Sequence, residues 1–231
     1  MEPGNFTEGR VTIREEVARI FPDIVIGVLH AHILNSTGND QLWGMIREKS
    51  AEIESTMNEE SIRQVPGISA GKQAYRQLGK DPNRYRLSAE ALMRRVAKGK
   101  ELYSISAAVD ALNLVSLSTG ITIGGFDAAK VSGHVELGIG RPGEEFMAIG
   151  RGPLNVENLP VYRDSVGAIG NPTSDSERTM ITPDTREVLM LITGFYGRSG
   201  IDGALSQLEA LLTRFCECSI CSTGYTRKMQ L

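Results

Sequence analysis

The chain changes texture at Gly120. Before it, apolar residues recur at helical spacing; after it, short apolar runs are split by Gly and Pro. That order, helices first and strands second, predicts an α+β arrangement rather than a doubly wound parallel sheet. The upstream part opens with a short strand at Val11-Thr12-Ile13, a helix from Arg14 to Ile20 and a buried strand from Ile24 to Leu29. Helices are then predicted from Gln41 to Met57 and from Ala70 to Leu78, with a turn at Pro66-Gly67 between them. Ser88 reads as the N-cap of a helix reaching Val96, with Leu87 and Leu92 as its hydrophobic staple. A further helix runs from Ile105 to Leu117, with Gly120 beyond its end. Downstream, strands are predicted at 121–123, 131–137, 144–149, 159–162, 180–182 and 188–193, followed by a last helix from Gly203 to Phe215. The expected fold is helices packed around an irregular β-sandwich, one domain over residues 1–231 with two intimately packed halves.

At 231 residues, with 41% hydrophobic and 23% charged side chains, the chain has ample apolar material for a core. Disorder, collagen and coiled coil are excluded. No apolar run approaches the ~20 residues of a membrane span, and Met1-Glu2-Pro3-Gly4 is no secretory leader, so a cytosolic protein with no membrane partner is expected. The three cysteines, Cys216, Cys218 and Cys221, are too few for a disulfide framework and leave a metal tetrahedron incomplete. A helix end with small buried thiols is the favoured reading. His30-x-His32 reads as a pair of ordinary strand-end histidines, because no carboxylate or thiol stands near it in sequence. Neither a metal nor a cofactor is expected.

Net charge is −3, yet the stretch from Lys72 to Lys100 holds nine basic residues and two acidic ones, a local +7. Within it, Arg76, Lys80, Arg84, Arg86, Arg94, Arg95 and Lys98 are candidates for phosphate binding, and Tyr85 for stacking on a base. A solvated helix face would leave the same trace. The P-loop, the dinucleotide fingerprint and the hydrolase elbow are all absent, so most enzyme classes lack support. Asp110 and Asn113 are three apart on one helix and share a side of it; with Asp127 they read either as pocket residues or as a buried cap network.

The succession Arg76-x-x-Gly79-x-Asp81-Pro82-x-x-Tyr85-Arg86-x-Ser88-x-Glu90-Ala91-Leu92-x-Arg94-Arg95-Val96, then Val109-Asp110-x-x-Asn113, then Gly124-Gly125-Phe126-Asp127 resembles a known family. It looks like the B3/B4 tRNA-binding domain, the editing module of the phenylalanyl-tRNA synthetase β subunit. Val161-Tyr162-x-Asp164 and Ile181-Thr182-x-x-Thr185-Arg186-x-Val188-Leu189 extend the likeness, which runs from about Pro66 to Gly194. It implies a pocket between the two halves that receives the aminoacyl 3′ end of tRNA and lets water cleave a misattached tyrosine, with no covalent nucleophile. Asn113 falls on the family's pocket asparagine, and Asp127 closes its Phe-Asp motif. Gly124, next to Gly125, stands where the synthetase has a histidine, and Leu191 where it has the glutamate that senses tyrosine. Two readings follow: a tRNA-binding protein that deacylates mischarged aminoacyl-tRNA, or a binder of free amino acids or other small molecules that keeps the fold without the chemistry. A protein partner for the basic face is a third. No ligase activity is expected of such a domain alone.

Overall fold

The computed structural model describes residues 10–227. In chain order it contains β1 (Val11–Ile13), α1 (Glu15–Ile20), β2 (Val25–His32), α2 (Asp40–Thr56), α3 (Glu59–Gln64), α4 (Pro66–Gln77), α5 (Ser88–Val96) and α6 (Ala107–Thr119). There follow β3 (Ile123–Asp127), β4 (Val135–Ile139), β5 (Met147–Ala148), β6 (Gly152–Pro153), β7 (Pro160–Arg163), β8 (Ala168–Asn171), β9 (Ser174–Asp175), β10 (Glu187–Gly194), α7 (Ile201–Phe215) and β11 (Ile220–Arg227). The fold is α+β, as the change of texture predicts. No helix among the described residues is long and apolar enough to cross a membrane. The leader reading of Met1 to Gly4 lies outside them.

Three layers stack on one another. A five-stranded sheet, β1-β4-β7-β8-β9, faces a four-stranded sheet, β11-β2-β10-β3; α2, α6 and α7 cover the outer side of the second, while α1 packs Val17 and Phe21 into the core between the sheets. The four-stranded sheet is thus buried on both faces, which explains why β2 reads as a continuous apolar run rather than an alternation. Ile26 and Val28 point into the core between the sheets with Phe126, Tyr162, Leu189 and Leu191. Val25, Leu29 and Ala31 point the other way, into the core shared with α2, α6 and α7. Gly27 breaks this second set because α7 crosses there: a Cβ would stand 2.6 Å from Ile201 Cγ2.

Several boundaries depart from the sequence reading for local reasons. Asn58 accepts hydrogen bonds from Glu60 N and Ser61 N in a capping box, starting a short α3 that apolar periodicity does not announce. Pro66-Gly67 opens α4 rather than forming a turn: Pro66 takes the first helical position, where its missing N–H costs nothing. Leu87, not Ser88, is the N-cap of α5 and offers no side-chain cap, while Ser88 N donates to the Pro172 carbonyl at 2.9 Å and pins α5 to the β8–β9 turn. The run at 180–182 is no strand, and the hairpin β8–β9 forms instead around Asn171-Pro172. After α7 the chain returns as β11 beside β2, a strand that polar, Gly-containing 220–227 disguises. Cys216 is buried, and burial pushes its thiol up to about 12, which makes it inert. Cys221 stands on β11, its side chain outside the described part.

Candidate ligand cavity

Between α4, the β8–β9 turn and the carboxyl end of β10 lies a cavity of about 250 Å³. Its helical wall is made of small residues, Gly67, Ala70 and Gly71. A Cβ on Gly71 would stand 2.7 Å from Leu87 Cδ1, so the glycine is what lets Leu87 close that side. The opposite wall comes from both sheets, with Gly124 on β3, Tyr162 on β7, and Leu191 and Thr193 on β10. Phe195, Tyr196 and Ile201 complete the lining beyond β10. At this size the cavity fits a group as large as an amino-acid side chain and falls below the ~300–1,000 Å³ of drug-sized sites.

Polar atoms are few and well defined. Tyr162 Oη and Thr193 Oγ1 share a 2.5 Å hydrogen bond, and burial holds the phenol well above its ordinary range, so it stays protonated. Asn171 Oδ1 accepts from Thr173 N at 2.9 Å and Ser174 N at 3.3 Å, which fixes the amide. Its Nδ2, on a residue only 4% exposed, has no partner among the described residues, and neither does Thr122 Oγ1. An unpaired buried donor costs ~1–3 kcal/mol, so Nδ2 is a natural handle for a ligand acceptor. None of the lining residues carries a charge.

Behind the Gly124 wall sits Asp175. Its Oδ2 accepts from Gly125 N at 3.0 Å, and burial pushes the carboxyl up to about 7 against that one backbone hydrogen bond. Space for it depends on glycine. A Cβ on Gly170 would stand 2.7 Å from both Asp175 Oδ1 and the Phe126 ring, and one on Gly124 3.0 Å from Phe126 Cζ.

Of the residues singled out by sequence, Gly124 and Leu191 line the cavity. Gly125 lies behind it, its Cα facing Leu112 and Ile181. Asn113, Asp110 and Asp127 are outside the lining. Asp110 accepts from Ser104 Oγ at 2.6 Å and Ile105 N at 3.1 Å at the start of α6, and burial raises its pKa. Asp127 accepts from Thr185 Oγ1 at 2.8 Å and Ala129 N at 3.2 Å, closing the turn after β3. Both carboxylates therefore serve as buried caps, and Asn113 is half-buried on α6. Tyr162, Asn171, Thr193, Thr122 and Asp175 escape sequence reasoning, since their convergence depends on strand pairing across long separations. The one available signal was Tyr162 within the Val161-Tyr162-x-Asp164 string.

The cationic stretch divides in two. Lys72 is buried with Glu90, Arg94 binds both Glu90 and Glu59, and Lys98 binds Glu59 at 2.7 Å. Arg95 donates to the Glu101 carbonyl and lies over Tyr103. Arg76, Lys80, Arg84 and Arg86 form no ion pair among the described residues. Lys80 lies 4.6 Å and Arg84 5.8 Å from the Tyr85 ring centre, and that ring itself packs partly against the core. Two of this second group are sequence neighbours of residues at the cavity. Arg86 precedes the lining residue Leu87, and Arg76 precedes Gln77, whose Oε1 accepts from the lining residue Tyr196 at 3.1 Å.

Residues 70–207 match the B3/4 domain. The chain belongs to the B3/4 domain family. Among solved structures it is similar to an N-terminal fragment of the phenylalanyl-tRNA synthetase β-subunit from Pyrococcus horikoshii, with 16% sequence identity and a TM-score of 0.46. The likeness covers 94% of this chain and 50% of that one, so the chain spans about half the fragment's length. No curated protein matches it. The B3/4 match takes in every cavity residue except Pro66 and Gly67 and leaves β2 and β11 of the central sheet outside.

Proposed function

We propose that this B3/4 protein binds aminoacyl-tRNA in the compartment where it is made, the cytosol, taking the amino-acid side chain into the Tyr162–Asn171 cavity and releasing mismatched amino acids by hydrolysis. The observation that carries this reading is an uncharged, side-chain-sized cavity with Arg86 next in sequence to its lining residue Leu87, in a stretch whose Arg76, Lys80, Arg84 and Arg86 form no ion pair among the described residues. Those cations suit the phosphates of the 3′ strand, which they would grip without choosing a sequence. Inside, Asn171 Nδ2 and the Tyr162–Thr193 hydroxyl pair offer a polar end to an otherwise apolar site, the kind of contact that tells a hydroxylated side chain from a plain one.

The rival reading, a free amino-acid binder, fares worse on electrostatics. A free amino acid brings an ammonium and a carboxylate, and burying either without a partner is costly. The lining supplies no counter-charge. An aminoacyl ester keeps the ammonium but has no carboxylate charge, so it brings one charge fewer, and its ribose end can stay at the rim. Hydrolysis needs one water to attack the ester carbonyl carbon; the C–O bond to the ribose breaks, the amino acid leaves as a carboxylate, and a proton returns to the tRNA hydroxyl. Asp175, whose carboxyl burial pushes up to about 7, stands behind the Gly124 wall and is our candidate for the general base.

The test is a panel of correctly and incorrectly charged tRNAs, Tyr-tRNA(Phe) included, incubated with the purified chain. Accelerated release from a subset of mischarged species is expected. Release no faster than in buffer for every species, with no tRNA bound in filter assays, removes the proposal. Stabilisation by a free amino acid without tRNA binding would establish the rival.

A further inference from the structure

At the opposite end of β10 from the cavity, strand pairing builds a second polar cluster. Glu187 lies directly across from His32 in the β2–β10 ladder, and His30 is two residues back on the same face of β2. Leu191, which lines the cavity, is four residues along β10 from Glu187, about 13 Å at ~3.3 Å per residue. His30 Nε2 lies 2.6 Å and His32 Nε2 3.8 Å from the same oxygen, Glu187 Oε1. All three ligand atoms fall within 4.8 Å of one another, and the imidazole centres are 5.8 Å apart with the rings tilted by 65°.

We propose that His30, His32 and Glu187 form a binding site for a divalent first-row transition ion, with at least one coordination position left open. Ligands held ~2.0–2.1 Å from a tetrahedral ion stand roughly 3.3 Å apart, between the two histidine–carboxylate separations found here, and the two imidazole nitrogens lie within 4.8 Å of each other. Two imidazoles and one carboxylate are the donor set of such ions; calcium and magnesium take oxygen ligands instead. His32 Nε2 supplies the independent observation: it is shielded from solvent and has no hydrogen-bond partner among the described residues, although its ring is 36% exposed. A buried polar atom without a partner calls for an occupant. Ser222 Oγ, directly across from His30 on β11, is likewise buried without a partner among the described residues. His32 and Glu187 are partly exposed and leave an entry path. The backbone rather than flexible loops positions all three ligands, which lowers the entropy lost on binding. Sequence reading misses the cluster because Glu187 is 157 residues from His30.

The experiment uses the full-length chain without a histidine tag, stripped with chelator and titrated separately with Zn²⁺ and Co²⁺. One equivalent of Zn²⁺ per chain is expected by calorimetry, and Co²⁺ is expected to give visible d–d absorption with no sulfur charge-transfer band in the near ultraviolet. His32→Ala and Glu187→Gln should each weaken Zn²⁺ binding by on the order of 100-fold, whereas Cys216→Ser/Cys218→Ser should leave it unchanged. Failure to take up Zn²⁺ at micromolar concentration overturns the proposal. So does uptake that survives both His32→Ala and Glu187→Gln, or a thiolate band in the Co²⁺ spectrum. Should either variant fail to fold by circular dichroism, the wild-type Co²⁺ spectrum still decides the ligand set.

Discussion

Glu90 and Asp175 are both enclosed carboxylic acids, one in the helical layer and one in the sandwich, and their surroundings differ in kind. Glu90, fully buried, accepts from Lys72 Nζ at 3.1 and 3.2 Å and from Arg94 at 3.3 Å, so its charge is neutralised by two cations. Asp175, with a minor exposed fraction, accepts from Gly125 N and meets no cation among the described residues; burial raises it to about 7. The helical layer thus uses charge as a fixed strut between α4 and α5. The sandwich, beside the cavity, keeps a carboxyl whose protonation can change near neutral pH. A group of that second type adds little to stability and is the type found at functional sites.

The largest expected effect breaks the strut. Lys72→Met removes one of two cations and leaves Glu90 with Arg94 alone, which should destabilise the fold by about 3–5 kcal/mol, at the cost usual for a broken buried pair. Urea unfolding monitored by circular dichroism measures it. A loss under ~1 kcal/mol would mean that Arg94 alone satisfies Glu90 and that the contrast with Asp175 is smaller than the geometry implies.

Next comes Asp175→Asn, which should act through pH. In the folded state the carboxyl holds its proton up to about pH 7; in the unfolded chain it loses it near 4. Between those values the native state binds more protons than the unfolded one, so this group's contribution to stability declines as pH rises from 4 to 7 and stays low above. Asparagine keeps an acceptor for Gly125 N and carries no charge. The variant should therefore exceed the wild type by about 2–4 kcal/mol at pH 8 and match it near pH 4. Parallel stability–pH curves for the two proteins would refute a raised pKa. If Asp175 also serves as base in ester hydrolysis, the same variant loses deacylation while gaining stability, an outcome that a merely structural role does not produce.

The contrast also marks what sequence can disclose. The α+β order, six of the seven helices and the run of β2 are written in local periodicity and in capping or breaking residues, and they are legible. Charge in the Lys72–Lys100 segment is legible as a count but not as a surface, because Glu59, from outside the segment, takes up Arg94 and Lys98, and Lys72 turns inward. The cavity is less legible still. Asn171 and Thr193 carry no pattern of their own, and only the β7–β8 pairing and the packing of two sheets bring them beside Tyr162. Conversely, Asp110 and Asp127 stand out in sequence because cap residues are polar and locally spaced, and capping is what they do.

A third expected effect separates the two groups of cations. Replacing Arg76, Lys80 and Arg84 together by alanine should leave stability within about 0.5 kcal/mol, because none of the three is in an ion pair among the described residues. Binding of tRNA should weaken, and the slope of log affinity against log salt should shrink by about 2, since three phosphate contacts on a single strand contribute ~0.7 each. An unchanged slope would move the RNA path away from the α4–α5 loop and leave the cavity without its proposed entrance.

The smallest effect is the control for that argument. Lys98 is 54% exposed and already paired with Glu59, so Lys98→Ala should cost no more than ~0.5 kcal/mol and leave the salt slope where it was. The two variants together ask whether RNA responds to how many cations this stretch carries or to which of them are free. If Lys98→Ala flattened the slope as much as a third of the triple replacement does, Glu59 would be exchanging its partner for a phosphate, and the ion pairs of α5 would belong to the binding surface rather than to the scaffold. If it does not, the cations that RNA uses are those of this stretch without an ion pair, at the end of α4 and in the loop that leads to the lining residue Leu87.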